Sequence, residues 1–215
     1  MTSKYVPLTS LGYYICDIPK SIFNFFNNET EKYTSTNFKN QKTFKSKLAG
    51  AIEHEYVFPI PANELNKFFE EVVPEYWEAQ HNFQEAKRKY NLIRDLDGNP
   101  ALWINFQKKY EYNPIHSHAG VLSFTCWTKI PYKLKDELEL PSNKNSASFT
   151  GPAFFFHFPT IQPAPANITN YRINVDSSME GKMIIFPAWL QHSVTPFFTS
   201  DDYRISISGN LVPVN

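Results

Sequence analysis

The second half of the chain most constrains the fold, because short β-like runs follow one another there with only turns and loops between them. Apolar segments, several of them alternating apolar and polar residues, are separated by residues that favour turns, such as Gly, Pro, Asn and Asp. The pattern predicts strands near 102–108, 114–118, 121–130, 152–158, 170–175, 182–187, 191–195 and 203–212. Such a succession of short strands predicts a jelly roll rather than alternating βαβ units.

The first half of the sequence has a different pattern, in which short strands mix with helices. A strand is predicted in TSLGYYICDIP and a short helix in IPKSIFNFFN. Residues 28–47 are polar and are predicted to form a solvated excursion, that is, a loop exposed to solvent. A second helix is predicted from Pro61, with a kink or interruption at Pro74. We therefore expect one mainly β domain over 1–215, in which the helices of an α/β support region at 1–98 pack on the β core at 99–215.

Charge and cysteine content bear on the partners and the compartment. The 21 basic residues equal the 21 acidic ones, so the chain lacks the positive field that draws in nucleic acid or anionic membranes. Cys16 and Cys126 do not form a disulfide framework, and no basic-then-apolar leader opens the sequence. No apolar segment approaches the roughly 20 residues that span a bilayer. These features predict a soluble cytoplasmic protein; its oligomeric state is not readable from the sequence.

Two imidazoles lie one residue apart in the segment EYNPIHSHAG. If this segment is extended, His116 and His118 project from the same face, about 7 Å apart along the backbone. Imidazole nitrogens bind metals at about 2.0–2.1 Å, so both rings can lean towards one ion. Of the four other histidines, His54, His81 and His157 have neighbours that favour structural or exposed roles. His192 remains as the candidate third ligand.

The strand that follows His192 carries a candidate anion-binding group. In YRISISGN, Arg204 and Ser206 share one face, and the apolar residues occupy the other. If Arg204 points inward it needs an anionic partner, because a buried guanidinium without one is costly. A ligand carboxylate satisfies it through paired hydrogen bonds, with the Ser206 hydroxyl as a further donor. The alternative is that this face is solvated.

Together, H-x-H, the distal FPAWLQH and the R-x-S that begins twelve residues after its histidine resemble the core of the iron- and 2-oxoglutarate-dependent oxygenases. The similarity is strongest to the putative 2OG-Fe(II) oxygenase group of bacteria and of phages of marine cyanobacteria. The similarity covers about 100–212, and the segment LAGAIEHEYVFP is more weakly similar to the N-terminal part of the family. The resemblance implies a double-stranded β-helix in which His116 and His192 bind iron. It also implies a protein of the cytoplasm, either of a bacterium or of the host cell of a phage. Arg204, with Ser206, would then bind the distal carboxylate of 2-oxoglutarate.

The sequence departs from the family pattern at one position. Where the wider superfamily has H-x-D or H-x-E, this chain has His118. His118 is expected to bind the metal directly, so that three neutral imidazoles leave Fe(II) with its full charge. The alternative is an outer position for His118, with water or a carboxylate completing the coordination sphere. The carboxylates considered are Asp201, Asp202 and Glu111.

The resemblance implies hydroxylation of an unidentified primary substrate by O2, with 2-oxoglutarate converted to succinate and CO2. Residues close in sequence to the ligands are candidates to line the pocket and contact the cofactors: Asn105 and Trp127 above all, with Trp103, Asn113 and Tyr132. The polar segment 133–150 is expected to be a mobile loop that serves as a lid. Two other functions fit the motifs: a cupin-like three-histidine enzyme without 2-oxoglutarate, and a non-catalytic jelly-roll binding module.

Overall fold

The structure is a computed structural model that describes residues 11–59, 62–94, 101–159 and 168–214. Its strands are β1 (Tyr14–Asp17), β2 (His54–Val57), β3 (Tyr90–Leu92), β4 (Leu102–Gln107), β5 (Asn113–His116), β6 (Leu122–Lys129), β7 (Ala153–Pro159), β8 (Ile168–Asn174), β9 (Lys182–Pro187), β10 (Gln191–Val194) and β11 (Arg204–Pro213). Its α-helices are α1 (Lys20–Ser35), α2 (Ala62–Ala79), α3 (Leu134–Glu139) and α4 (Pro141–Lys144). Among these residues, no helix is long and apolar enough to cross a bilayer.

The eight strands β4 to β11 form two antiparallel sheets, and successive strands alternate between the sheets as in a jelly roll, except that β7 and β8 pair within the smaller one. The larger sheet contains the order β9-β6-β11-β4, and the smaller sheet has the order β5-β10-β7-β8. The predicted double-stranded β-helix is therefore confirmed. All eight predicted strands are present with ends shifted by at most two residues, the largest shifts being at 113–116 and 168–174.

The N-terminal region extends the larger sheet and covers its outer face. Strand β1 pairs with β9 at one edge, β2 pairs with β4 at the other, and β3 pairs with β11, giving seven strands. Helices α1 and α2 pack on the outer face, where they bury residues such as Phe26 and Phe69 against Phe106 and Phe124. The N-terminal helices thus lie on the β core, as predicted.

A second apolar cluster lies between the two sheets. It joins Trp127 and Phe186 of the larger sheet to Phe154 and Phe156 of the smaller one. Because side chains alternate along a strand, β4, β6 and β11 send most of their apolar residues to the helices and most of their polar residues, with Trp103 and Trp127, between the sheets. This alternation places polar groups inside the jelly roll.

The structure narrows two predictions for the N-terminal helices. The polar stretch after residue 28 is not wholly a solvated excursion, because α1 continues to Ser35 and buries Thr30 and Tyr33. These residues continue the face of Ile22 and Phe26 at three- and four-residue spacing, which places them on the same side of the helix. In α2 the chain remains helical through Pro74. Buried residues on both sides of this proline hold the two halves of α2 against the sheet.

The segment 133–150 is not an irregular loop throughout, since it contains the short helices α3 and α4. Glu137 of α3 is fully buried, at 0% exposure. Its carboxylate accepts hydrogen bonds from the backbone N–H groups of Phe198 and Thr199 and from the Thr199 hydroxyl. The helices are therefore fastened to the turn before β11, an arrangement that the polar composition of the segment did not predict.

Candidate metal centre and its pocket

Three imidazoles converge between the two sheets. His116 at the end of β5 lies directly opposite His192 in β10, and their ring centroids are 4.2 Å apart. His118 follows β5 in a turn that its backbone N–H closes onto the Ala188 carbonyl, at 2.8 Å. One ligand nitrogen from each ring lies within 4.8 Å of the other two. The structure thus brings together the three histidines that the sequence singled out.

Backbone carbonyls orient two of the rings. His116 Nδ1 lies 2.7 Å from the Pro114 carbonyl oxygen, and His192 Nδ1 lies 2.9 Å from that of Leu190. Because a carbonyl can only accept, each Nδ1 carries the proton and each Nε2 keeps its lone pair free. His192 is held further by stacking on Phe154, at 5.2 Å between centroids. Both rings are therefore set in the tautomer that binds a metal through Nε2.

Burial keeps the three rings neutral. It lowers the pKa of His116, and together with the charge of His116 it lowers the pKa of His118 to about 3. Burial, followed by the charges of His116 and His118, lowers the pKa of His192 well below its ordinary value. Neutral imidazoles at this spacing form a donor set that suits divalent iron, zinc or copper. The site therefore fits the iron that the resemblance implies.

The carboxylates considered as alternatives to His118 have other partners. Asp201 forms an ion pair with Lys109 at 2.7 Å, and Asp202 forms one with Lys129 at 2.6 Å. The Glu111 carboxylate accepts from the backbone N–H groups of Glu53 and Lys108. Within the described residues, the metal-binding group contains the three histidines and no carboxylate.

Arg204 lies inside the jelly roll, at 2% exposure, so its face of β11 is not solvated. Its guanidinium donates to the Gln107 side-chain oxygen at 2.7 and 3.2 Å, to the Tyr132 hydroxyl at 2.8 Å and to the Thr195 carbonyl at 2.8 Å. All these acceptors are neutral, and among the described residues no carboxylate lies within ion-pair distance. A buried cation without a counter-ion is a ready binding site for an anion.

A row of side chains crosses the inner face of the larger sheet beside the triad. Ser206 of β11 lies opposite Asn105 of β4 on one side and Trp127 of β6 on the other. Glu55 of β2 lies opposite Asn105 and completes the row. All four line the same cavity as the three histidines and Arg204. Trp103 and Asn113, the other candidates for the pocket, line it as well, whereas Tyr132 does not line it and instead contacts Arg204.

Sequence reasoning missed Glu55, Gln107 and the contact between Tyr132 and Arg204. Glu55 is 1% exposed, and neither of its carboxylate oxygens has a hydrogen-bond partner. Burial, opposed by Lys45 and assisted by Glu111, raises its pKa to about 7. A charged residue in AIEHEYVF is typical of a solvated strand, and the pairing of β2 with β4 is needed to see that it faces inward.

The other histidines lie outside the cluster. His54 stacks on Phe38, with ring centroids 4.1 Å apart. His157 bonds Asn170 at 2.7 Å and Ser193 at 2.8 Å, and His81 is exposed. Their structural or exposed positions agree with the sequence prediction.

A family model described as "Putative 2OG-Fe(II) oxygenase" matches residues 101–210, about half of the chain. This match begins next to β4 and ends within β11, so it covers the jelly-roll strands and all three clustered histidines. No curated protein matches the sequence.

Solved structures supply a comparison of the fold. A Pseudomonas putida prolyl-4-hydroxylase is similar to the chain with a TM-score of 0.54 and 8% identity, over 96% of this chain and 95% of the other. A 2OG-Fe(II) oxygenase family oxidoreductase from Burkholderia pseudomallei aligns with a TM-score of 0.38 and 14% identity, over 70% of this chain and 55% of the other. At 8% identity, the likeness to the first structure concerns the fold alone.

Proposed function

Because the chain belongs to the 2OG-Fe(II) oxygenase family, whose members use Fe(II) and 2-oxoglutarate, we propose that it hydroxylates a small or polymeric primary substrate with O2. One observation carries the proposal: three neutral imidazoles and a buried guanidinium without a counter-ion line one cavity. Bound Fe(II) and 2-oxoglutarate would supply the activation of O2, with succinate and CO2 as co-products.

In this proposal His116, His118 and His192 hold the iron through Nε2. The carbonyls of Pro114 and Leu190 fix two of the rings, so that little reorganisation is needed when the metal binds. Phe154 and Phe186 pack on His192 and exclude water from that side. Apolar walls of this kind keep a reactive centre dry and protect it from side reactions.

Arg204 binds the distal carboxylate of 2-oxoglutarate, and Ser206 adds a hydroxyl donor. Gln107 and Tyr132 hold the guanidinium from two sides, which fixes the plane in which it meets a carboxylate. Asn105 and Trp127 contribute to the wall between this carboxylate site and the metal. We also retain the division into a support region at 1–98 and a catalytic core at 99–215; its boundary lies outside the described residues.

The two alternative functions are not favoured. A three-histidine enzyme that does not use 2-oxoglutarate leaves the buried Arg204 without a role, and a non-catalytic binding module leaves the three clustered imidazoles without one. Burying a cation costs solvation free energy, and an opposite charge on a ligand or a neighbouring residue normally offsets this cost.

The test is an anaerobic titration of the purified chain with Fe(II) and then 2-oxoglutarate. A visible metal-to-ligand charge-transfer band is expected only when both are present, because it requires 2-oxoglutarate bound to the iron. Succinate released on admission of O2 is the second readout. Iron binding without the band, at saturating 2-oxoglutarate, would contradict the proposal.

A further inference from the structure

Three buried acceptor atoms without donors belong to two residues of the cavity wall that are paired across neighbouring strands. They are the two carboxylate oxygens of Glu55 and the side-chain oxygen of Asn105. The two residues are direct neighbours across β2 and β4, and both line the cavity that contains the histidines. Buried acceptors are normally satisfied, and a group of three is an unusual concentration of unmet hydrogen-bonding capacity.

In the part of the chain that the structure describes, no cation is paired with this carboxylate. Lys45 acts on Glu55 electrostatically, but within the described residues no basic side chain forms an ion pair with it. A buried carboxylate without such a partner is costly unless a ligand provides the positive charge. The missing partner is therefore a group that carries several N–H donors and a positive charge.

The backbone leaves room for the carboxylate and encloses it on one side. A Cβ at Gly50 would overlap Glu55 Oε1 and Asn113 Oδ1, so a larger residue there would have to displace these two side-chain ends. The carboxylate is thus held between the segment at residue 50 and strand β4, with the cavity as its open side. The Glu55 side chain is therefore enclosed by two segments of the fold and is not a surface carboxylate that has rotated inward.

We propose that Glu55 and Asn105 form the subsite for a protonated amine of the primary substrate, so that the substrate class is amine-bearing molecules. An ammonium group has three N–H donors, which matches the three unpartnered oxygens. That the bound amine is a substrate rests on the proposed function. The amine-binding site itself rests only on Glu55 and Asn105.

The position of Arg204 makes the assignment selective. Arg204 lies opposite Gln107, and Glu55 lies opposite Asn105, two residues earlier on β4. Because β11 and β2 flank β4 on opposite sides, the two positions are two strand spacings apart across the sheet and two residues apart along it, about 12 Å in all. Arg204 attracts the carboxylate of 2-oxoglutarate and repels an amine, and Glu55 does the reverse. Opposite charges arranged in this way sort two ligands into different parts of one cavity.

The experiment compares n-butylamine with its neutral isostere 1-butanol. Binding to the full chain is measured by ligand-observed NMR near pH 7.5, first without metal and then with Zn(II) and 2-oxoglutarate. The variants are Glu55→Gln and, as a matched control, Glu53→Gln, which removes an exposed carboxylate two residues away. The Glu55 carboxyl carbon, labelled with 13C and assigned by its absence from the spectrum of folded Glu55→Gln, provides a second readout on the wild-type chain. It is recorded near pH 6, where a pKa of about 7 leaves the free carboxyl mostly protonated.

The amine is expected to bind the wild-type chain about tenfold more tightly than the alcohol, since hydrogen bonds to a charged group are the stronger ones. Glu55→Gln should abolish that preference, Glu53→Gln should retain it, and the amine should move the Glu55 carboxyl signal to its ionised position. Equal binding of amine and alcohol, or amine binding without a shift of that signal, overturns the inference.

Failure of this inference can be distinguished from failure of the proposed function. The charge-transfer band of the wild-type chain with Fe(II) and 2-oxoglutarate reports only on the oxygenase assignment. A chain that shows the band and no amine preference refutes the subsite alone. A chain that shows the amine preference and no band refutes the oxygenase assignment and leaves the amine site standing.

Discussion

The Nε2 atoms of His118 and His192 lie 3.2 Å apart, although the two residues are 74 positions apart in the chain. Two nitrogens that share one ion at about 2.1 Å, at right angles, are about 3.0 Å apart, so the observed separation is that of ligands to a common metal. In the resemblance described above, His118 stands where H-x-D or H-x-E would have a carboxylate. This contact makes the role of His118 the first question for experiment.

We expect His118→Ala to weaken Fe(II) binding by more than about 100-fold, because loss of an outer-shell partner costs about 10- to 100-fold and loss of a ligand costs more. His118→Asp should restore most of the affinity, since a carboxylate is also an iron ligand. Anaerobic competition with a chelator measures both. The control is His81→Asn at an exposed turn with φ of 56°, a conformation that Asn tolerates.

If His118→Ala binds iron as tightly as the wild-type chain, direct ligation is wrong and water completes the coordination sphere. A loss between about 10- and 100-fold would place His118 in an outer position. The three outcomes separate the two interpretations that the sequence left open.

Arg204→Ala is expected to weaken 2-oxoglutarate binding by about 100-fold or more, since it removes the only buried cation facing the cavity among the described residues. Fe(II) affinity should change by no more than about threefold, because Arg204 does not contact the histidines. Titration of the charge-transfer band measures the first quantity and chelator competition the second. Lys109→Ala, which removes a surface cation paired with Asp201, serves as the matched control. Unchanged 2-oxoglutarate affinity in Arg204→Ala would remove the assignment.

The jelly roll and the triad were accessible from the sequence because both depend on local pattern. Alternation along 203–212 reveals which face of β11 is apolar, and histidine is rare enough for three candidates to stand out. The burial of Glu55 was not accessible in this way. It depends on β2 pairing with β4, a contact between residues about 50 positions apart that leaves no periodic signal in either segment.

The partners of Arg204 were hidden for a similar reason. Gln107 is brought to it by strand register, whereas Tyr132 and Thr195 reach it from connections outside the paired strands. The sequence predicted that an inward-facing Arg204 needs an anion, but it could not show that the guanidinium is already held by neutral groups. That arrangement follows only from the packed sheets.

Glu137→Ala should destabilise the protein by about 2–4 kcal/mol, because it leaves the buried N–H groups of Phe198 and Thr199 without an acceptor. Urea denaturation measures the change in the free energy of unfolding. Glu139→Ala, in the same helix, removes an exposed ion pair with Lys144 and should change stability by less than about 1 kcal/mol. Phe197 stacks on Tyr132 at 4.8 Å, so weaker 2-oxoglutarate binding in Glu137→Ala is also expected. Equal stability of the two variants would contradict the fastening role of Glu137.

The raised pKa of Glu55 makes the effect of Glu55→Gln on stability depend on pH. The pKa is about 7 in the folded chain, against an ordinary value of 4.5. The folded state therefore holds this proton more tightly than the unfolded state does. Below about pH 4.5 the carboxyl is neutral in both states and costs nothing. As the pH rises towards 7 the unfolded state gives up the proton first, and the wild-type chain loses stability relative to Glu55→Gln.

Glu55→Gln should therefore stabilise the metal-free protein by about 1–3 kcal/mol more at pH 8 than at pH 4.5. Urea denaturation of both proteins at the two pH values measures this difference, and the shared histidines and Lys45 cancel in the comparison. Glu53→Gln, at an exposed position, should show no such dependence on pH. A Glu55→Gln effect of the same size at both pH values would mean that the carboxyl is ionised without cost in the folded chain. The unsatisfied oxygens would then have partners that stabilise the charge.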